Sequence, residues 1–176
     1  MKNKAIQFGI FSGISIVIVN VLLYLSGGRN MITYGGYSGW AIHLGFMFFA
    51  NKTYRESLGG AMTFKEGFKN AWQVFAVASI FEGLFAFVLF NFVDSSLYEV
   101  VREIGIEWAA WSCEMSNVDP CLALQDAEKV QVADLKLTLA TTLFSTAYRL
   151  IIPGALFAVL IAAMTKREDL YSTKSK

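Results

Sequence analysis

The sequence predicts an all-α membrane protein, with four transmembrane helices, a short interfacial cytoplasmic helix and a helical extracytoplasmic loop. Three observations predict it: four long apolar runs, an apolar content of 55% in 176 residues, and an uneven placement of basic residues. The runs are Ile6 to Leu25, Ile32 to Ala50, Ala71 to Val93 and Leu139 to Met164, with 20, 19, 23 and 26 residues. A hydrocarbon core of about 30 Å needs roughly 20 helical residues at about 1.5 Å each, so every run is long enough to cross. Residues 1–176 then form a single transmembrane domain with spans over 6–25, 32–50, 71–93 and 139–164 and an extracytoplasmic loop over 94–138.

Orientation follows from the basic residues, which gather in cytoplasmic segments. Ten lie on one side of this arrangement: Lys2, Lys4, Lys52, Arg55, Lys65, Lys69, Lys166, Arg167, Lys174 and Lys176. Four lie on the other, Arg29, Arg102, Lys129 and Lys136, while nine acids fall between Asp94 and Asp134. Both termini are therefore expected in the cytoplasm. A net charge of +1 argues against a nucleic-acid partner. The run after Met1-Lys2-Asn3-Lys4 is longer than a signal-peptide core and has no small-x-small cleavage site, so it reads as an uncleaved first span. No lipidation motif is visible at either end.

In the first span Gly9 and Gly13 are four apart and Asn20 shares their face. Small residues at that spacing let backbones approach, and an amide there offers an interhelical hydrogen bond; glycines turned to lipid are the plainer alternative. The second span carries Gly35, Gly39 and His43 on one face, which should pack against a neighbour, although Gly35-Gly36 also permits an irregular start. Tyr34, Tyr37 and Trp40 are placed as interface anchors. Thr63 with Glu66 matches a capping box, and Phe64, Phe68 and Trp72 share a face, which predicts a short helix in the inner interface leading into the third span.

The outer loop holds two helical patterns. Leu97, Val100, Val101, Ile104, Trp108 and Trp111 form an apolar stripe opposite Glu99, Glu103 and Glu107, and a second pattern runs from Leu122 to Leu137. They read as a two-helix lid on the bundle, with a partner surface as the alternative. Cys113 and Cys121 flank a turn at Asn117 to Pro120, where a disulfide suits an oxidising compartment; two unpaired thiols are the alternative, and two thiols without a nearby histidine supply only half of a metal's coordination sphere.

Two charges fall inside the spans. Glu82 is eleven residues past Ala71, about 16 Å above the inner boundary, and Arg149 is fifteen before Met164, about 22 Å above it. An unpaired charge at that depth is expensive, so the two are expected to pair, with His43 approaching from the second span. Thr138, Thr141, Thr142 and Ser145 precede Arg149 near one face, as a hydroxyl stripe from the outer surface. Pro153 cannot donate to the Arg149 carbonyl, which predicts a kink there. Two readings compete: a structural polar cluster of Glu82, Arg149 and His43 that fixes helix pairing, or a route for a proton, ion or small anion. No nucleophile with its base, metal shell or phosphate loop is legible, so no catalytic residue, metal or cofactor is expected.

The basic start with its glycine-bearing span, Thr63-Phe64-Lys65-Glu66-Gly67-Phe68, the acidic outer loop, and the ending Ile161-Ala162-Ala163-Met164-Thr165-Lys166-Arg167 are a familiar combination. The chain resembles, over nearly its whole length, a bacterial family of four-span membrane proteins known only as a domain of unknown function. The resemblance implies a helical bundle in a bacterial inner membrane and carries over no catalytic residues. The functional expectation is a non-enzymatic accessory or structural component of a membrane assembly. The alternative is a small transporter or channel subunit using Glu82, Arg149 and His43. Its partners would be the lipid bilayer, then other membrane-protein subunits or further copies of itself.

Overall fold

The computed structural model describes residues 4–116 and 121–167. The turn at Asn117 to Pro120 and the basic residues Lys2, Lys174 and Lys176 lie outside the described residues. The described residues are 88% helical and contain no strand. In order they form α1 (Lys4–Leu25), α2 (Gly28–Ser57), α3 (Phe64–Val88) with a π-helical turn at Leu89–Val93, α4 (Leu97–Ser116), α5 (Leu122–Lys129), a 3-10 turn at Val132–Leu135, α6 (Leu139–Ile151) and α7 (Pro153–Thr165).

α3 is the hub, packed against α1, α2, α6 and α7. Its closeness to α1 depends on two glycines. A Cβ on Gly9 would fall 2.6 Å from the Val77 Cβ and 3.0 Å from the Val74 carbonyl oxygen; one on Gly13 would fall 2.8 Å from the Phe81 Cβ. Both contacts step by four residues in each helix, so α1 and α3 run parallel. The main core is built largely from small side chains, Ala5, Ala50, Ala71 and Ala158, around Met47, Val74, Phe75 and Ile161. A second, smaller cluster of Met31, Leu89 and Leu97 closes the opposite end. There the Asp94 carboxylate accepts from the Ser96 hydroxyl and the Tyr24 hydroxyl, which hold its pKa below the ordinary aspartate value.

Three helical stretches are long and apolar enough to cross a membrane: Lys4–Leu25, Phe64–Val93 and Leu139–Thr165. Their large side chains point outward as well as inward. Phe11, Leu22, Ile80, Leu84, Phe144 and Leu156 are all exposed, an arrangement suited to an apolar solvent rather than to water. α2 has the length, 30 residues, but its glycines, tyrosines and charged ends make it the least apolar of the long helices that pack in the bundle.

Several local expectations are corrected. α2 is continuous through Gly35-Gly36, so the irregular start does not occur. The short interfacial helix is not separate: the capping box, with the Glu66 carboxylate accepting from Thr63 N at 2.9 Å, opens α3 itself, and no residue breaks the helix before Val88. Asn20 donates to the Ile16 carbonyl of its own helix at 2.9 Å and makes no interhelical hydrogen bond, though its side chain abuts Gly35. The second outer helix ends at Lys129 rather than Leu137, because the Arg102 guanidinium takes the Glu128 and Val130 carbonyls and the chain turns extended there. A Cys113–Cys121 disulfide, with Cα atoms 5.8 Å apart, ties α4 to the start of α5. The lid is only partial: α4 buries Leu97 and Tyr98 against the bundle, whereas Trp108 and Trp111 stay 55% and 53% exposed. Periodicity located the stripe but not its cover.

Candidate functional site

On α3, Phe75, Ser79 and Glu82 follow at four and three residues and so share one helix face. α2 presents His43 to that face. The imidazole tilts onto the Phe75 ring at a centroid distance of 4.5 Å and is only 1% exposed. α6 supplies Arg149 from the other side. Glu82 Oε1 forms an ion pair with Arg149 Nη1 at 3.0 Å, and Glu82 Oε2 lies 3.6 Å from His43 Nε2. One carboxylate thus stands between a cation and an imidazole and ties three helices together.

The break between α6 and α7 sets the level of Arg149. Pro153 begins α7, and Ile152 before it, still in the right-handed α region, is the single turn residue that separates α6 from α7. Gly154 then lets α7 come close to Phe75, since a Cβ there would fall 2.7 Å from the Phe75 ring. Trp72 Nε1 donates to the Leu150 carbonyl at 3.1 Å and fixes α6 beside α3. Gly83 does the same by closeness, with a Cβ there 2.8 Å from Thr146 Oγ1.

Burial grades steeply across the cluster. The side chains of His43, Glu82 and Arg149 are 2%, 24% and 51% exposed, so the ion pair opens on the outer face of the bundle. Toward the outer end of the bundle from it, Ile80, Leu84, Phe87, Leu139 and Leu143 line a shallow apolar groove of about 180 Å³ between α3 and α6. Arg149 is therefore not sealed inside.

Among the described residues none of the stripe's hydroxyls hydrogen-bonds the Arg149 guanidinium. Thr138 caps α6 and bonds with Thr141, while Thr142 donates to the Thr138 carbonyl at 2.8 Å and Ser145 to the Thr142 carbonyl at 3.0 Å. Each hydroxyl is spent on its own helix, the ordinary habit of Ser and Thr in apolar surroundings. Of the glycines, Gly9, Gly13 and Gly35 sit at close approaches, but a Cβ at buried Gly39 would meet nothing within 4 Å.

A second polar network was missed by sequence reading. Asn51 Nδ2 donates to the Gly67 carbonyl and to Thr165 Oγ1, both at 3.0 Å, and Asn70 Nδ2 donates to Asn51 Oδ1 at 2.9 Å. Arg55 Nη1 reaches the Thr165 carbonyl at 3.2 Å, and Met62 pairs with Arg167 through both backbone groups. This network staples α2, α3 and α7 at the basic end. The available signal was two asparagines flanking apolar runs, which also reads as a loop boundary. Among the described residues no group of three His, Cys, Asp or Glu side chains is placed to hold a metal ion.

Residues 7–167 match the model of a family described as "Protein of unknown function (DUF4199)", and the chain belongs to that family. No curated protein and no solved structure matches it.

Proposed function

We propose that this protein is a four-span, non-enzymatic component of a bacterial inner-membrane assembly, with both termini cytoplasmic, that docks to another membrane protein or a second copy through its α3–α6 face. α2 supplies the fourth crossing in this reading. It is 30 residues long, joined to α1 by a tight turn at Gly27, and lies along α1 and α3. The basic residues Lys52, Arg55, Lys65, Lys69, Lys166 and Arg167 collect at the end where α2 stops and α3 begins, which supports a cytoplasmic assignment for that end. Trp108 and Trp111 then stand at the outer surface, where aromatic residues anchor in the interface.

The observation that carries the docking reading is Arg149, paired with Glu82 yet 51% exposed beside an apolar groove. A charge facing hydrocarbon is costly, and charged groups within spans turn toward protein or water. A neighbouring helix laid over the α3–α6 face covers both the guanidinium and the groove. The test is Leu143→Cys, an exposed residue that lines the groove, treated with a bifunctional maleimide in native membranes; the native cysteines are tied to each other. A discrete adduct heavier than the monomer is expected. Monomer alone at every crosslinker length contradicts the docking reading.

Transport of a proton, ion or small anion through the Glu82, Arg149 and His43 cluster is the second reading. It is favoured by one observation, the deeply buried His43, whose ring nitrogens make no hydrogen bond among the described residues.

A further inference from the structure

Among the described residues four buried polar atoms have no hydrogen-bond partner: Ser12 Oγ, Ser79 Oγ, and both His43 ring nitrogens. They occupy one level of the bundle. Asn20 of α1 abuts Gly35 of α2, and in an antiparallel pair the partner's number falls as the first one's rises, which sets Ser12 level with His43. Ser79 sits on α3 between Phe75, which carries the imidazole, and Glu82, which faces it. All three residues are at most 2% exposed.

Their behaviour differs from that of the other helical hydroxyls. Thr142, Ser145, Thr146 and Thr165 each donate to a carbonyl three or four residues back, whereas Ser12 and Ser79 do not. A buried polar atom left without a partner costs about 1–3 kcal/mol, and three residues at one level multiply that cost. Space is available beside them. Gly39, one turn from His43 and buried, is a place where an added methyl would meet no protein atom within 4 Å. The separation of His43 Nε2 from Glu82 Oε2, 3.6 Å, is too long for a direct hydrogen bond, and a water set beside the pair can bond to both.

We propose that α1, α2 and α3 enclose an ordered-water site at the level of Ser12, His43 and Ser79, extending one turn outward to Gly39, which satisfies the two hydroxyls and links His43 to Glu82. The ligand is water, held by two to four hydrogen bonds as internal waters are. The site does not depend on the docking reading, since it lies on the inner side of Glu82, away from the α3–α6 face. Its consequence is that the imidazole and the carboxylate act as one hydrogen-bonded unit, with Arg149 at the outer end.

The test uses the sign of a stability change. If water joins these groups, Ser79→Ala and Ser12→Ala each remove a hydrogen bond and lower the unfolding midpoint in detergent by about 2–4 °C. If the level is dry, each substitution removes an unsatisfied hydroxyl and raises the midpoint. A second measurement reads the site directly: magnetisation transfer from water to the His43 ring of the wild-type protein in micelles is expected. A midpoint unchanged or raised in both variants, or no transfer to the ring, overturns the proposal.

Discussion

Replacing Arg149 with glutamate is expected to lower the stability of the bundle in detergent by about 3 kcal/mol, and adding Glu82→Arg to recover most of the loss. The single change sets two carboxylates where a 3.0 Å ion pair stood, beside an imidazole with no other partner. Removing one member of a paired charge in low dielectric leaves the other uncompensated, which is why the loss far exceeds that for an exposed surface pair. The double reversal restores opposite charges on the same two helices. Denaturant titrations of the wild type, the two single variants and the double variant give the coupling energy. Additive losses would show that the two side chains do not interact.

The second large effect concerns the α1–α3 contact. Gly9→Ala is expected to destabilise the bundle by about 1–3 kcal/mol before an offset of about 1 kcal/mol from helix propensity, and Gly9→Val by more. The obstacle is the Val74 carbonyl and the Val77 Cβ, neither of which is the far end of a flexible side chain. Gly36→Ala is the matched control, on an exposed face of α2 with nothing within 4 Å, and should be neutral or slightly stabilising. Thermal melts of both variants decide it. Equal behaviour of Gly9→Ala and Gly36→Ala would mean that α1 is not seated against α3 as described.

Much of this architecture is legible in the residues because it follows from local physics. The start of α3 is written in Thr63 and Glu66, whose reciprocal hydrogen bonds need only four consecutive residues. The break at Pro153 needs only the missing N–H. Glu82 and Arg149 could be matched because each charge at depth demands a partner and the chain offers few. Tertiary choices were harder to see. Gly35 and Gly39 share a face and a spacing, yet Asn20 fills the approach to one while a Cβ on the other would meet nothing from a neighbouring helix within 4 Å. Asn51, Asn70 and Thr165 meet only when three helices converge, so no window of sequence contains their network. The Trp108 and Trp111 stripe shows the complementary limit, since periodicity reveals which residues align but not what lies against them.

The whole account depends on how many times the chain threads the bilayer, and reporter fusions measure that directly. Fusions after Ser26, in the turn at Gly59, after Cys121 and after Arg167 are predicted to report extracytoplasmic, cytoplasmic, extracytoplasmic and cytoplasmic positions. This order requires α2 to cross although it is the least apolar long helix of the bundle. If the fusions after Ser26 and at Gly59 report the same side, α2 does not cross and the four-span bundle is contradicted.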